Sequence, residues 1–355
     1  MQAGCDGVRV PTVSVVVPTH RRLLLLHQTV RSILNQTVDD LELIIVFDGA
    51  DDAVERSVAA IGDPRIRTIV NPVALGVSRA RNAGLSMSVA PWVAFCDDDD
   101  LWAPDKLARQ LRALSASPDA RWCAVSEVRL HEDGRLGALV TCPAAEEIPR
   151  RIRSANVIPG GGSGVLADRE LVMSVGGFDA EMSMFADWDL WLRLSKAAGV
   201  AVAREPRLVY RDHGTAMSRD MTGVEGELDR LRLKHGADGN AAQVSASKVR
   251  EWCYDRSVTT DDRRIRYRAL RELLAHHRPS PIWTTAAVLR LAVPHGLVRR
   301  ARRAGHRRWE NTDVHRWVSE LLEDHPVHDP VDADVDAEAD ADVDADVDPV
   351  GPDSR

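Results

Sequence analysis

The first hundred residues alternate between short apolar runs and stretches whose apolar positions recur at helical spacing. TVSVVV (residues 12 to 17) is apolar and β-branched and stops at Pro18-Thr19-His20, which predicts a buried strand. Residues 23 to 35 set Leu23, Leu26, Val30, Ile33 and Leu34 on one face of a helix. LELIIVF (residues 41 to 47) predicts a second strand, closed by Asp48-Gly49, with a helix following across residues 51 to 61. RIRTIV (residues 65 to 70) predicts a third strand and residues 77 to 88 a third helix. VAPWVAF (residues 89 to 95) predicts a fourth strand that runs into four consecutive aspartates, Asp97 to Asp100. This order implies an α/β fold with a mostly parallel central sheet covered on both faces. Ligands of such sheets bind beyond the carboxyl ends of the strands. Three of those ends carry polar or acidic groups: Thr19-His20, Asp48, and the aspartate tetrad.

From about residue 110 to 220 the pattern is less regular. PGGGSG (residues 159 to 164) is a Gly-rich loop, residues 184 to 199 predict a helix, and residues 200 to 210 predict a strand. Residues 223 to 325 read as a helical region rich in arginine. The expected organisation is therefore an α/β domain over residues 10 to 222, a helical region over 223 to 325, and a tail over 326 to 355. The tail holds ten Asp, one Glu and one Arg, with almost no bulky apolar content, and is expected to be disordered. It carries a net charge of −10 out of the total of −8, so the rest of the chain is close to neutral at +2.

Five scattered cysteines without a C-x-x-C pair argue against a disulfide framework and a zinc site. The first residues lack the basic and apolar regions of a secretory signal, and no run of 18 apolar residues occurs. A cytoplasmic location is expected. Residues 282 to 298 are mainly apolar and lead into RRARRAGHRR (residues 299 to 308), which suits peripheral contact with an anionic membrane at its inner face. Packing against the acidic tail or the α/β domain is an equal alternative. No aromatic-basic interleaving points to nucleic acid.

The tetrad has two readings from its chemistry alone. Crowded carboxylates repel, and a hard cation such as Mg²⁺ or Mn²⁺ shared with phosphate oxygens relieves that repulsion. Alternatively, the aspartates form a turn that caps a helix starting near Pro104. Their place at a strand's carboxyl end favours the first.

Five segments, in order, resemble the family-2 nucleotide-diphospho-sugar glycosyltransferases: VSVVVPTHRR; LNQTVDDLELIIVFDGADD; VALGVSRARNAG followed by PWVAFCDDDDLWAPDKL; VGGFDAEMSMFADWDLWLRL; and LVYRDHGTAMS. The resemblance covers roughly residues 12 to 220 and implies the GT-A fold. It implies nucleotide-sugar contacts at Pro18, Thr19, His20, Asp48, Arg81, Asp97 and Asp98, with Asp98 at the variable position of D-x-D. Asp48 would read the base, which favours a uridine or thymidine diphospho-sugar. Asp99 and His213 would hold Mg²⁺ or Mn²⁺, with Arg211 nearby and Asp100 in support. Asp187 would be the general base of an inverting transfer to an acceptor hydroxyl, in cell-surface polysaccharide, glycolipid or secondary-metabolite synthesis.

Two positions depart from the family pattern. Phe47 replaces an acid before Asp48, and Ala186 replaces one before Asp187. The second departure keeps open a competing function, a non-catalytic sugar-nucleotide binder with a decayed base site. A nucleotidyltransferase and a dinucleotide dehydrogenase both fail on the glycine-free turn after the first strand. Asn82 is expected to tie backbone together, and Trp188 and Trp191 to be core.

Overall fold

A computed structural model describes residues 10 to 131, 134 to 213, 224 to 236, 309 and 312 to 323. The acidic tail and the basic segment of residues 282 to 308, with the membrane contact expected there, lie outside the described residues. No helix among the described residues is long and apolar enough to cross a membrane.

The alternation legible in the sequence builds β1 (Val13–Thr19), α1 (Leu24–Leu34), β2 (Leu41–Asp48), α2 (Asp52–Ala59), β3 (Ile66–Asn71), α3 (Val77–Met87) and β4 (Trp92–Phe95). There follow β5 (Leu101–Trp102), α4 (Lys106–Ser115), β6 (Ala120–His131), β7 (Leu136–Val140), α5 (Ile148–Arg151), β8 (Val165–Asp168), α6 (Arg169–Ser174), α7 (Ala186–Ala197) and β9 (Gly199–Asp212). Two further described helices are α8 (Val224–His235) and α9 (Asp313–Glu323).

The sheet order is β3-β2-β1-β4-β8-β6-β9-β5, with β7 beside β6. The β3-β2-β1-β4 half is parallel, as the alternation predicts. The other half is mixed: β8 runs antiparallel to both β4 and β6, β6 and β9 are parallel, and β5 is antiparallel to β9. Long β6 lies where the periodicity is least regular. It is buried along almost its whole length, so its sequence shows no clean alternation.

Period-two alternation divides the apolar residues between two faces. Val15, Val17, Leu43 and Ile45 pack with Leu26, Val30 and Ile33 of α1, Val54 of α2 and Leu107 of α4. Val16, Ile44, Val46 and Phe95 pack with Ala80 and Leu85 of α3 and with Trp188 and Trp191 of α7. Both tryptophans are core, and Trp191 stacks on Trp122 with ring centroids 6.1 Å apart. Phe47 is buried on the first of these faces, so the acid it replaces would have pointed into packed hydrocarbon. Gly84 lets α3 lie directly on β1, because a Cβ there would collide with the Val16 side chain.

The helix α9 returns to the mixed half of the sheet. Its Val314, Trp317, Val318 and Leu321 cover Leu101, Val128, Leu130 and Val209, and Trp309 donates its indole N–H to Gly137 O at 2.8 Å.

Candidate active site

The parallel strands deliver their carboxyl ends to one edge. Thr19 ends β1 and pairs with Phe47, while Asp48 ends β2 opposite Asn71. Beyond β4, Cys96 still bonds to Val16 O, and the chain then turns through the tetrad. Pro18 is buried at this edge, and His20 is exposed beside it. The ring of His20 lies 2.5 Å from Asp48 O through Nδ1, joining the ends of β1 and β2.

Asp48 has a local task. Its Oδ1 accepts from Asn71 Nδ2 at 3.0 Å and Leu75 N at 2.8 Å, and its Oδ2 accepts from Gly76 N at 2.7 Å. The carboxylate therefore anchors the turn that leads into α3. An ionised carboxylate has about four acceptor positions, so capacity for one further donor remains.

The four aspartates have four different environments. Asp97 has a side chain 30% exposed and is ion-paired to Arg81, which is only 4% exposed. Its backbone N–H donates to Ser163 Oγ at 2.9 Å. Asp98 is buried, accepting from Thr19 Oγ1 at 2.7 Å and from Arg22 Nη1 at 3.0 Å. Burial pushes its pKa up to about 6 against the opposing charge of Arg22. The variable position of D-x-D thus ties the ends of β1 and β4 together. Asp99 presents Oδ2 to Arg22 Nη1 at 2.6 Å and to His213 Nε2 at 2.9 Å. Burial acts to raise its pKa, but the His213 hydrogen bond and the Arg22 charge outweigh it and hold the group below the usual carboxylate range.

Asp100 is fully buried. Its Oδ1 accepts from Arg211 N at 3.3 Å. Burial and the neighbouring Asp99 and Asp97 raise its pKa well above normal. It does not cap the following helix, which starts at Lys106 after Asp105 without a side-chain cap. Arg211 is held from behind by Gln28 of α1.

Arg81 joins this cluster to the other half of the site. Its guanidinium meets Asp97, lies 5.1 Å from the Phe178 ring centroid, and opposes the burial-driven rise in the pKa of Asp187. Asp187 occupies the first turn of α7 and is 9% exposed. Burial raises its pKa, while Arg81, the Trp188 N–H at 2.7 Å and the Asn156 amide at 2.9 Å favour its charged form. Gly161, with φ +50°, lies against Asp187, and a Cβ on Gly162 would press on Arg81. The Gly-rich loop thus packs against Asp187 and Arg81 and, through Ser163, holds the backbone of Asp97. Asn82 exchanges two hydrogen bonds with the backbone of Phe178, at 2.8 and 2.9 Å, and takes no part in the charged cluster. Ala186 is fully buried in the α3/α7 core.

Three participants were not anticipated. Arg22 stands in the PTHRR turn already singled out, so the signal was present. Asn156 and Ser163 fall in the irregular middle of the chain, where no local pattern marks them. A fourth contact is long-range. Glu227 of α8 accepts from Ser183 N, Met184 N and Phe185 N at 3.0, 3.3 and 3.0 Å, bracing the entry to α7. Beside it, Asp189 is held by Arg193, Lys234 and His235.

Among the described residues no group of three or more His, Cys, Asp or Glu side chains is arranged to hold an ion. Asp99 and His213 offer two donors 2.9 Å apart. Adjacent ligands at right angles on an octahedral ion, each about 2.1 Å away, are separated by about 3 Å. Two such donors suffice for a divalent ion only together with further ligands from outside the chain.

Residues 14 to 151 match the family model described as Glycosyl transferase family 2. The chain is 30% identical over 234 residues to a protein of Bacillus subtilis (strain 168) described as "Uncharacterized glycosyltransferase YwdF", covering 63% of this chain and 84% of that one. It is 28% identical over 212 residues to "UDP-Glc:alpha-D-GlcNAc-diphosphoundecaprenol beta-1,3-glucosyltransferase WfaP" of Escherichia coli, covering 58% and 79% respectively. The fold resembles that of S. aureus TarS 1-349 in complex with UDP-GlcNAc, with a TM-score of 0.53 and 16% identity over 74% of this chain and 71% of that one.

Proposed function

Because the chain belongs to the family-2 glycosyltransferases and has their GT-A fold, we propose that it moves a sugar from a nucleoside diphospho-sugar to an acceptor hydroxyl with inversion of configuration. The observation that carries this reading is the placement of Asp187. A buried carboxylate with a raised pKa lies within electrostatic reach of Arg81, the guanidinium that is ion-paired to Asp97.

In this reading Asp187 accepts the proton of the acceptor hydroxyl. The acceptor oxygen bonds to the anomeric carbon as that carbon's bond to the diphosphate oxygen breaks. The electron pair leaves with the diphosphate. A divalent ion on Asp99 and His213, when bound, would supply charge stabilisation to that leaving group. Asn156 keeps the Asp187 carboxylate in one orientation. Arg81 keeps Asp97 directed at the donor, and Thr19 with the buried Asp98 fixes the edge on which the nucleoside rests. Asp48, with its remaining acceptor capacity, faces the base through a uracil or thymine imide. The name of the Escherichia coli relative carries a UDP-Glc donor and a diphosphoundecaprenol-linked acceptor. It favours a uridine diphospho-sugar and a lipid-linked sugar for this chain, ahead of a secondary metabolite.

The non-catalytic alternative draws on Ala186. The Asn156 hydrogen bond weakens it, since Asp187 keeps a polar partner without an acid at position 186. The test is a screen of nucleoside diphospho-sugars with Mn²⁺ or Mg²⁺, followed as release of the nucleoside diphosphate in the presence of lipid-linked and soluble sugars. Release that depends on one base, one sugar and an acceptor is expected. Tight nucleotide-sugar binding without turnover for any acceptor would favour the binder.

A further inference from the structure

One oxygen, Asp99 Oδ2, is approached by two nitrogens, Arg22 Nη1 at 2.6 Å and His213 Nε2 at 2.9 Å. The same Arg22 Nη1 also reaches Asp98 Oδ1 at 3.0 Å. Arg22 thus places a full positive charge on the carboxylate oxygen nearest His213. An ion bonded to that oxygen and a guanidinium 2.6 Å from it would repel strongly in a largely water-excluded site.

The three arginines of the cluster differ in exposure. Arg81 is 4% exposed and Arg211 5% exposed; Arg81 is ion-paired to Asp97, and Arg211 is bonded to Gln28 in the interior. Arg22 comes from the turn after β1, and its side chain is 21% exposed. Its second carboxylate, Asp98, is fixed by Thr19 and can retain the guanidinium while it turns away from Asp99. A guanidinium fork suits phosphate oxygens well.

We propose that Arg22 is a cation gate on the donor site: it occupies Asp99 when that site is empty, and a nucleoside diphosphate draws it off, so that metal and diphosphate bind together. This rests on the reading of Asp99 and His213 as the metal pair. Arg22 is here a positioning residue that sets the order and coupling of binding.

The gate makes a prediction opposite in sign to that of a structural role. Removing Arg22 should strengthen the binding of metal alone while weakening that of the diphosphate. The measurement is titration of Mn²⁺ alone and of UDP at saturating Mn²⁺, on the full chain, for wild type and Arg22→Gln. Mn²⁺ alone should bind roughly tenfold tighter to Arg22→Gln, the scale of one lost charge-assisted hydrogen bond. UDP should bind roughly tenfold more weakly. The mutual enhancement of Mn²⁺ and UDP, equal in both directions by linkage, should be large in wild type and shrink in the variant. Arg22→Lys keeps the charge without the fork and should fall between the two, which answers the question if Arg22→Gln does not fold. Unchanged or weaker Mn²⁺ binding in folded variants overturns the gate and leaves the metal pair standing, as does wild-type Mn²⁺ binding indifferent to UDP. Mn²⁺ binding that survives Asp99→Asn, or is absent from wild type even with UDP, overturns the metal pair and the gate with it.

Discussion

Asn156 donates its side-chain amide to Oδ2 of Asp187 at 2.9 Å, although 31 residues separate them and Asn156 itself is exposed. It is the only side-chain hydrogen bond to that carboxylate among those found in the described residues. A neutral amide beside a buried acid favours the ionised form without replacing it as a charge. Asn156→Ala should therefore lower transfer by roughly fivefold, the scale of about 1 kcal/mol of lost orientation and hydrogen bonding. The acidic limb of the pH profile should also move to higher pH. Steady-state rates across pH check both, and a profile that does not move would remove Asn156 from the base's environment.

In the proposed reading, the pH dependence of the parent enzyme follows from Asp187 itself. Burial raises its pKa, with Arg81 opposing. A base must be ionised, so activity is full above the raised value and falls as pH drops through it. The limb should lie above the ordinary aspartate value of about 3.9. Asp187→Ala should abolish transfer while changing UDP affinity by less than about threefold, measured by calorimetry. Asp187→Asn should share the loss of rate.

Asp189, two residues further along α7, governs stability. Burial works to raise its pKa, but His235, Lys234 and Arg193 overcome it and bring the group down to about 2. A depressed acid stabilises the fold above its unfolded pKa of about 3.9 and loses that contribution as pH falls towards the folded value. Thermal midpoints should therefore drop between about pH 4 and pH 2. In Asp189→Asn that part of the decline should flatten, and the variant should be roughly 3 kcal/mol less stable at neutral pH, because Arg193 and Lys234 lose their shared ion partner and His235 its hydrogen-bond partner.

The contact between Gly84 and Val16 is a separate test of packing. A methyl group at position 84 has no room against β1. Gly84→Ala should destabilise by about 1–3 kcal/mol despite the better helix propensity of alanine. Gly84→Ala with Val16→Ala should recover part of that loss, as read from denaturant midpoints.

The parallel half of the sheet was the legible half. Each of β1 to β4 is a short apolar run closed by a turn residue or an acid, so sequence position alone brings Thr19, Asp48 and the tetrad to one edge. The identity of the tetrad's partners was not legible. Asp98 and Asp99 share Arg22 from 76 and 77 residues away, and nothing local distinguishes a buried aspartate from a solvated one. The mixed half of the sheet was hidden because β6 is buried on both faces and β8 is only four residues long. Asp187 could be placed through its family pattern, yet its partner Asn156 stands where no periodicity exists.

The grip of α8 on the entry to α7 bears on how short a working fragment can be. The family-matched stretch, residues 14 to 151, stops before Asn156, Ser163, Asp187 and His213. A piece ending at residue 222 would contain them all but would leave the backbone of Ser183, Met184 and Phe185 without Glu227, and Asp189 without Lys234 and His235. The unit that must be kept whole is therefore longer than the motifs. It extends at least through His235, and the helix that looks like the start of an appendage is part of the scaffold that holds α7 and Asp187.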